Sequence, residues 1–153
     1  MAWTERLREL GLELPPVPKP VAAYVPAVRS GAWVWTSGQL PMVEGELRYR
    51  GKLGAELSVE EGYEAARVAA LNALAAAAQA AGGAEAVRRV VRVTGYVNSA
   101  PGFHDQPRVV NGASELLGRL FGEAGAHART AVGVSDLPLD AAVEIELLVE
   151  VTG

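Results

Sequence analysis

The stretch that decides the fold begins with Ala128-Arg129-Thr130-Ala131-Val132, continues through Leu137-Pro138 and ends with Val143-Glu144-Ile145-Glu146. Residues 142–151 alternate apolar and polar side chains, and this period of two predicts a β-strand. Residues 128–134 predict a second strand, which carries Arg129. A guanidinium binds a carboxylate with two parallel hydrogen bonds, and no carboxylate stands close to Arg129 in the sequence. The stretch therefore predicts a sheet that holds either a buried ion pair or a site for a ligand acid.

The composition predicts a single domain over residues 1–153, because half of the 153 residues are hydrophobic and can build one core. The net charge of -4 and the pI near 5.2 give no electrostatic attraction to nucleic acid or to an anionic membrane, so neither is expected as a partner. The chain has no cysteine, which excludes disulfides and thiolate chemistry and fits a reducing cytoplasm.

The termini and the alanine-rich segment indicate a soluble cytoplasmic protein. Charged residues interrupt the first residues before any apolar region forms, so no secretory signal is expected. The alanine run at residues 73–81 is too short to cross a bilayer.

The first part of the chain predicts an N-terminal arm followed by a meander. Thr4 can cap a short helix that stops at Gly11, and the prolines of residues 15–20 impose an extended segment. Residues 24–28 and 33–36 predict strands around a turn at Ser30-Gly31, and residues 46–49 predict a third short strand.

A long helix is predicted from the capping box of Ser58 and Glu61 to Gly82-Gly83. Its inward face carries mostly small side chains, which allow close approach to a sheet. Residues 87–97 predict a strand with Arg88 and Arg92 on one face, and Val91 and Val93 on the other.

A second helix is predicted at residues 106–121, and the resulting order is arm, two or three strands, helix, strand, helix and two strands. This order indicates an α+β fold in which both helices cover one face of a sheet. The other face is then uncovered, and a partner subunit is the expected cover. We therefore expect a homo-oligomer.

The common catalytic templates are missing. The two histidines, His104 and His127, lack metal-ligand spacing. Thr36-Ser37-Gly38-Gln39 lacks the glycine that precedes the serine of a nucleophile elbow, and Gly82-Gly83 ends a helix where a phosphate loop would begin one. Neither a metal nor a cofactor is expected.

Five polar residues at predicted strand ends or on the second helix are candidates for a site, and each has a structural alternative. Arg129 can be a solvated strand residue, and Glu144 an outward carboxylate. Tyr24 can be a core-edge residue, Ser37 a turn residue and Asn111 a polar spot on a helix.

Three arginines, Arg88, Arg89 and Arg92, cluster on one predicted strand. They are interpreted as a solvated or interfacial face. A nucleic-acid patch is disfavoured because no aromatic residue lies between them.

The segments that hold these candidates resemble the RidA/YjgF family of small trimeric proteins over residues 21–151. The resemblance rests on Tyr24, Trp35-Thr36-Ser37-Gly38-Gln39-Leu40-Pro41, Gly95-Tyr96-Val97-Asn98, Val109-Val110-Asn111 and the stretch quoted first. It implies a chorismate-mutase-like α+β fold, a homotrimer with a central barrel, and clefts between neighbouring subunits.

The resemblance also implies residue roles. Arg129 would hold a substrate carboxylate and Glu144 would position water, while Tyr24, Ser37, Gly38, Asn111, Thr130 and Ala131 would line the cleft. The implied reaction is hydrolysis of reactive enamines and imines to 2-keto acids and ammonia, without a metal or cofactor.

The chain departs from the family pattern in four places. Ala131 stands where the deaminases often carry cysteine, and Val21-Ala22-Ala23 replaces a Gly-Pro before the tyrosine. The N-terminal arm before Val17 is an extension, and residues 103–111 are spaced differently. These departures indicate a longer subgroup, whose substrate can differ.

Three functions therefore remain open. The first is an enamine/imine deaminase, the second a protein that binds or senses a small carboxylate without turnover, and the third a ribonuclease or translation inhibitor, which older family labels carry. In each case a buried Arg129 needs a partner, and we expect Glu144, a carbonyl or a bound anion.

Overall fold

The computed structural model describes residues 1–19 and 23–153. The elements are, in chain order, α1 (Trp3–Glu9), β1 (Ala27–Ser30), β2 (Trp33–Thr36), β3 (Met42–Val43), β4 (Glu46–Leu47), α2 (Val59–Ala81), β5 (Val87–Asn98), α3 (Gln106–Phe121), β6 (Ala128–Val134) and β7 (Val143–Val151). No helix in the described ranges is both long and apolar enough to cross a membrane.

The main sheet has five strands in the order β1-β2-β7-β5-β6. β5 runs antiparallel to β7 and parallel to β6, so the sheet is mixed. Along β7, the apolar residues of one side are buried and the residues between them are partly exposed. The long helices α2 and α3 both pack on the buried side. The predicted α+β architecture is confirmed, and the opposite side of the sheet, called here the open face, carries neither helix.

The prediction for α2 is confirmed at both ends. The Ser58 side chain accepts from the Glu61 amide, the Glu61 carboxylate accepts from the Ser58 amide, and Gly82 ends the helix in the left-handed conformation with φ of 87°. The helix lies directly against α3 at Gly112, where an added Cβ would stand 1.9 Å from the Tyr63 carbonyl oxygen.

The helix of the N-terminal arm begins two residues earlier than predicted. Ala2, not Thr4, is the N-cap of α1, and no side chain caps this end. Packing fixes the start instead, because Trp3 is buried, stacks on Phe121 with ring centroids 4.8 Å apart, and donates from Nε1 to the Ala84 carbonyl. Residues 15–19 form neither helix nor strand, and the last residue of the predicted extended segment, Pro20, lies outside the described residues.

Two predicted strands of the meander differ from the structure: the first is shifted and the third is shortened. The first spans Ala27–Ser30 rather than residues 24–28, because Pro26 has no amide proton for the ladder and only its carbonyl is used, by the Ser37 amide at 2.8 Å. The predicted third strand is shortened to Glu46–Leu47 and pairs with β3 in a separate two-stranded ribbon.

The predicted faces of β5 are wrong at Val91. Val90 and Val93 are fully buried, whereas Val91 is half-exposed. The pairing of β5 with β7 shifts register between Val90 and Arg92, and this irregularity breaks the simple alternation.

Candidate functional site

Arg129 lies on β6, which forms one edge of the sheet, and its guanidinium is directed toward α3. Nη1 donates to Asn111 Oδ1 at 2.8 Å and to Ser114 Oγ at 3.2 Å, and Nη2 lies 3.5 Å from the Pro107 carbonyl oxygen. All three partners are neutral oxygens of α3. The side chain is therefore oriented without its charge being neutralised.

A second pair of hydrogen bonds fixes Ser114. Its Oγ lies 2.9 Å from His127 Nε2, and His127 Nδ1 lies 2.6 Å from the Gly125 carbonyl oxygen. A carbonyl only accepts, so Nδ1 carries a proton, and in the neutral imidazole Nε2 then accepts from the Ser114 hydroxyl. The Ser114 oxygen then keeps its lone pairs for Arg129. His127, Ser114 and Arg129 form one directed chain of hydrogen bonds.

Glu144 lies on β7 and on the open face, in register with Tyr96 of β5. Its carboxylate passes over the backbone of Gly38, where an added Cβ would stand 2.2 Å from Glu144 Oε2. Only glycine leaves this space. The S-G-Q segment therefore shapes the position of the Glu144 carboxylate.

The open face makes the ionised form of Glu144 less favourable than that of an exposed glutamate. Burial raises the pKa of Glu144, and the neighbouring charge of Glu146 raises it further. Glu146 itself accepts from the Tyr96 hydroxyl at 2.6 Å and from Trp35 Nε1 at 3.2 Å. The hydrogen bond to Glu146 raises the pKa of Tyr96 to about 12, so this phenol is a donor at neutral pH. Glu144 can therefore exchange a proton nearer to neutrality than an ordinary glutamate.

Ser37 precedes Gly38, and Tyr24 precedes the Val25–Pro26 backbone to which Ser37 bonds. The Ser37 hydroxyl donates to the Val25 carbonyl at 2.6 Å, so it ties the segment that carries Tyr24 to the end of β2. Tyr24 is 45% exposed. We call Tyr24, Ser37, Gly38 and Glu144 the Glu144 group.

The two other candidate residues on β6 face opposite ways. The Thr130 hydroxyl accepts from the Arg92 guanidinium on the open face, and Ala131 packs against the core on the helix side. We call Arg129, Asn111, Ser114 and Ala131 the Arg129 group.

The two groups do not meet within one chain. Arg129 is in register with Val93, whose side chain is buried under the helices, whereas Glu144 is in register with Tyr96 on the open face. Of the three partners expected for Arg129, Glu144 is not the one found within a single chain, and a carbonyl is: Arg129 bonds to the Asn111 amide oxygen, the Ser114 hydroxyl and the Pro107 carbonyl. Ion pairs among the described residues involve Lys52, Arg88 and Arg108, but not Arg129.

Sequence reasoning missed Ser114 and considered His127 only as a metal ligand. Two sequence spacings could have identified Ser114 and His127 as neighbours of the site. Ser114 follows Asn111 by three residues and so shares its helix face, and His127 precedes Arg129 by two and so shares its strand face.

Comparisons with known proteins match nearly the whole chain. A family model described as "YjgF/chorismate mutase-like, putative endoribonuclease" matches residues 4–151. Protein TCP17 of Trypanosoma cruzi is 46% identical over 145 residues, which cover 94% of this chain and 91% of that protein.

Solved structures show the same fold. A Shewanella oneidensis protein with the same endoribonuclease description superposes with a TM-score of 0.94 at 38% identity, covering 99% of this chain and 100% of the other. RidA from Psychrobacter sp. superposes with a TM-score of 0.62 at 28% identity, covering 88% of this chain and 94% of the other. The Shewanella protein, whose whole length is covered, thus has a higher TM-score than the Psychrobacter RidA.

Proposed function

The chain belongs to the RidA/YjgF family, and from this premise we propose that it hydrolyses reactive enamine and imine derivatives of amino acids to 2-keto acids and ammonia. The observation that carries the proposal is the Arg129 guanidinium, which α3 holds with neutral oxygens only. A cation oriented in this way is prepared for a ligand carboxylate, because bidentate pairing supplies the charge that its protein partners lack.

The Glu144 group supports the proton transfers that the reaction needs. A carboxyl group with a raised pKa both takes a proton from water and returns one to a leaving amine within a narrow pH range. General acid-base help of this kind contributes about 10²–10⁴-fold, and fixing the carboxylate on Arg129 adds the benefit of orientation.

The chemical steps balance with water alone. An enamine first tautomerises to its imine. A water oxygen then adds to the imine carbon while the C=N electron pair moves to nitrogen, and Glu144 takes the water proton and passes it to that nitrogen, which gives the carbinolamine R-C(OH)(NH2)-COO⁻. In the collapse Glu144 takes the hydroxyl proton and gives it to the nitrogen as the C–N bond breaks, so one water is consumed and one keto acid and one ammonia are released.

The proposed reaction requires an assembly of several chains. The Arg129 group and the Glu144 group lie on opposite sides of the sheet, so a cleft that contains both requires two copies of the chain. The open face also exposes Trp33, Trp35, Val28 and Val132. We propose a homotrimer in which the open faces pack together and each cleft joins two neighbours.

A coupled assay tests the function. A PLP-dependent dehydratase supplies 2-aminoacrylate, and the protein should accelerate ammonia release. Arg129→Ala should lower kcat/KM about 10-fold or more, because a hydrogen bond to a charged group contributes roughly 1.5–3 kcal/mol. The control is Arg119→Ala, which removes an exposed arginine of the same helix as Asn111 and should leave the rate unchanged. No acceleration by the unaltered protein, or an equal one by Arg129→Ala, would contradict the proposal.

The second candidate is binding of a small carboxylate without turnover. It is favoured by the fact that the Arg129 group is complete within one chain, whereas Glu144 is remote from it. Calorimetry with pyruvate that shows Arg129-dependent heat, together with no catalysis, would support it. Ribonuclease activity has less support, because a net charge of -4 opposes approach to RNA.

A further inference from the structure

The open face carries a second carboxylate, Glu146, and both of its oxygens are hydrogen-bonded. The Tyr96 hydroxyl of β5 donates to Oε1 at 2.6 Å, and the Trp35 indole of β2 donates from Nε1 to Oε2 at 3.2 Å. β5 and β2 are the two strands that flank β7 in the sheet. Hydrogen bonds to an ionised acceptor are roughly twice as strong as those between neutral groups. Glu146 is therefore held from both sides in one orientation.

Glu146 lies on the same side of β7 as Glu144. Residues i and i+2 of a strand share a face, and the fully buried Ile145 between them points to the helices. Tyr96 is in register with Glu144, yet its hydroxyl bonds to Glu146. Side chains in register across antiparallel strands have Cβ atoms roughly 4.5–5.5 Å apart. The Tyr96 side chain therefore begins beside Glu144 and ends on Glu146.

Glu146 is paired with no cation among the described residues. Arg92 of β5 donates instead to a hydroxyl of β6. The other titratable or charged side chains of the open face are Glu144 and Glu150 of β7 and Tyr96 of β5, with Arg88 and Arg89 beside Glu150. The strands β2 and β6 bring no charged side chain to this face. The negative charge of Glu146 is thus held by neutral donors and is not neutralised.

The charge of Glu146 acts on the group that the proposed reaction uses. Burial raises the pKa of Glu144, and the charge of Glu146 raises it further. This effect requires that Glu146 is ionised and close to Glu144, and the two hydrogen bonds favour both conditions. The hydrogen bond to Glu146 raises the pKa of Tyr96 to about 12, so the phenol remains a donor at acid and neutral pH.

We propose that Tyr96 and Trp35 are positioning residues of the reaction, because they hold Glu146 as a fixed negative charge beside Glu144. The inference rests on the proposed function and adds to it two residues that act on Glu144 through Glu146. In the proposed trimer the open faces pack together, and the exclusion of water strengthens the interaction between the two carboxylates.

The test follows the Glu144 carboxyl directly in the full-length protein. Carbon-13 NMR of glutamate side-chain carboxyls over about pH 4–8 gives its titration midpoint, and the signal is assigned by its loss in Glu144→Gln. The midpoint should be highest in the unaltered protein, lower in Tyr96→Phe and lowest in Glu146→Gln, because the first change releases the Glu146 charge and the second removes it. Trp35→Phe removes the other donor and should also lower the midpoint.

A matched control is provided by Tyr63. Its hydroxyl donates to Glu115 at 2.6 Å, the same length as the bond from Tyr96 to Glu146, but both residues lie on the helices. Tyr63→Phe should therefore leave the Glu144 midpoint unchanged. Tyr96→Phe added to Glu146→Gln should cause no further shift, because the charge through which Tyr96 acts is gone. A further shift would show that Tyr96 acts on Glu144 directly and would overturn the inference.

The pH profile of kcat/KM for 2-aminoacrylate separates this inference from the proposed function. If Glu144 takes the water proton, the acid limb should show the same order of midpoints, which a merely structural role of Tyr96 would not produce. An acid limb that is equal in all variants overturns the positioning role while leaving the deaminase. If no imine is turned over, the deaminase fails, and the NMR order still supports the control of Glu144 through Glu146. Equal NMR midpoints in the unaltered protein, Tyr96→Phe and Trp35→Phe, each folded by circular dichroism, overturn it.

Discussion

No carboxylate of α3 neutralises the charge of the Arg129 guanidinium, because α3 offers it an amide oxygen, a hydroxyl and a carbonyl instead. A carboxylate in one of these positions would compete with a ligand acid for the same donors. The neutral partners fix the direction of the fork and leave its charge for the ligand. His127 extends this order by two further hydrogen bonds.

Ser114→Ala tests the importance of that order. The change removes one acceptor of Arg129 and the donor to His127, while Asn111 and Pro107 still hold the guanidinium. We therefore expect the KM for an imine acid to rise about 5–10-fold with kcat little changed, which corresponds to a net contribution of about 1 kcal/mol from the lost bond. Steady-state kinetics measures the split. Ser135→Ala, at an exposed serine, is the matched control. Unchanged KM in Ser114→Ala would show that the serine does not orient Arg129.

The raised pKa of Glu144 predicts the pH dependence. The carboxylate that takes the water proton is lost as the pH falls through the raised pKa, so kcat/KM should decline on the acid side with a midpoint above the ordinary 4.5. Glu146→Gln removes one cause of the shift and should lower this midpoint. A profile between about pH 4 and pH 8 gives the midpoint. A midpoint that is higher or equal in Glu146→Gln would refute the assigned cause.

The same shift affects stability with a defined sign. A group whose pKa is higher in the folded than in the unfolded chain contributes stability that is present below the unfolded pKa and lost as the pH rises through the folded pKa. The unaltered protein should therefore lose this contribution as the pH rises from acid to neutral, whereas Glu144→Gln should not. Urea unfolding of both proteins at an acid pH and at a neutral pH gives the free energies of unfolding to compare.

The helices α2 and α3 cross with almost no space between their backbones. Gly112 is the point of closest approach, and the alanine-rich face of α2 is otherwise fully buried. This packing places Asn111 and Ser114 opposite β6, where both bond to Arg129. The orientation of Arg129 therefore depends on the contact between α2 and α3 at Gly112, although Asn111 and Ser114 are not part of that contact.

Gly112→Ala should therefore destabilise the fold. The new methyl group would meet the Tyr63 backbone, which cannot rotate away, and overpacking of this kind costs about 1–3 kcal/mol or more. Gly118→Ala on the same helix meets nothing within 4 Å and should stabilise by about 0.5–1 kcal/mol through helix propensity. Urea denaturation of both variants gives the free energies. Equal effects would show that the crossing is not tight at Gly112.

The sequence predicted elements well where local signals decide them. Ser58, Glu61 and Gly82 mark both ends of α2 without help from the rest of the chain. The prediction that Thr4 caps α1 was wrong because the burial of Trp3 sets the start of that helix. The predicted burial of Val91 was wrong because the register shift in β5 depends on its partner strand β7. Arg129 and Asn111 were each identified as candidates from the sequence, and the family resemblance gave them roles, but their contact depends on tertiary packing that no local pattern encodes.

The open face gives the whole molecule an apolar surface. Trp33 and Trp35 are 45% and 56% exposed on this face, while the alternate residues of β2, Val34 and Thr36, are buried. Water contact with two indoles is unfavourable, and large exposed apolar patches commonly mark protein interfaces.

Trp33→Lys should prevent assembly without harming the chain. The ammonium would stand opposite Glu150 across the strand pair, which suits an isolated sheet, yet burial in an interface would desolvate it. Sedimentation equilibrium at micromolar concentration should give three times 16.0 kDa for the unaltered protein and one chain for the variant. Leu139→Lys, at an exposed leucine of a loop, should keep the trimer. A single-chain mass for the unaltered protein would reject the assembly.

Arg129 and Glu144 lie on opposite sides of one sheet, so in the proposed trimer a mutation in one chain would affect clefts shared with its neighbours. In a shared cleft, a chain that has lost its cation still lends its carboxylate to a neighbour, and the converse also holds. Two defective alleles in one cell could then complement each other, because mixed assemblies contain some clefts built from the two intact halves.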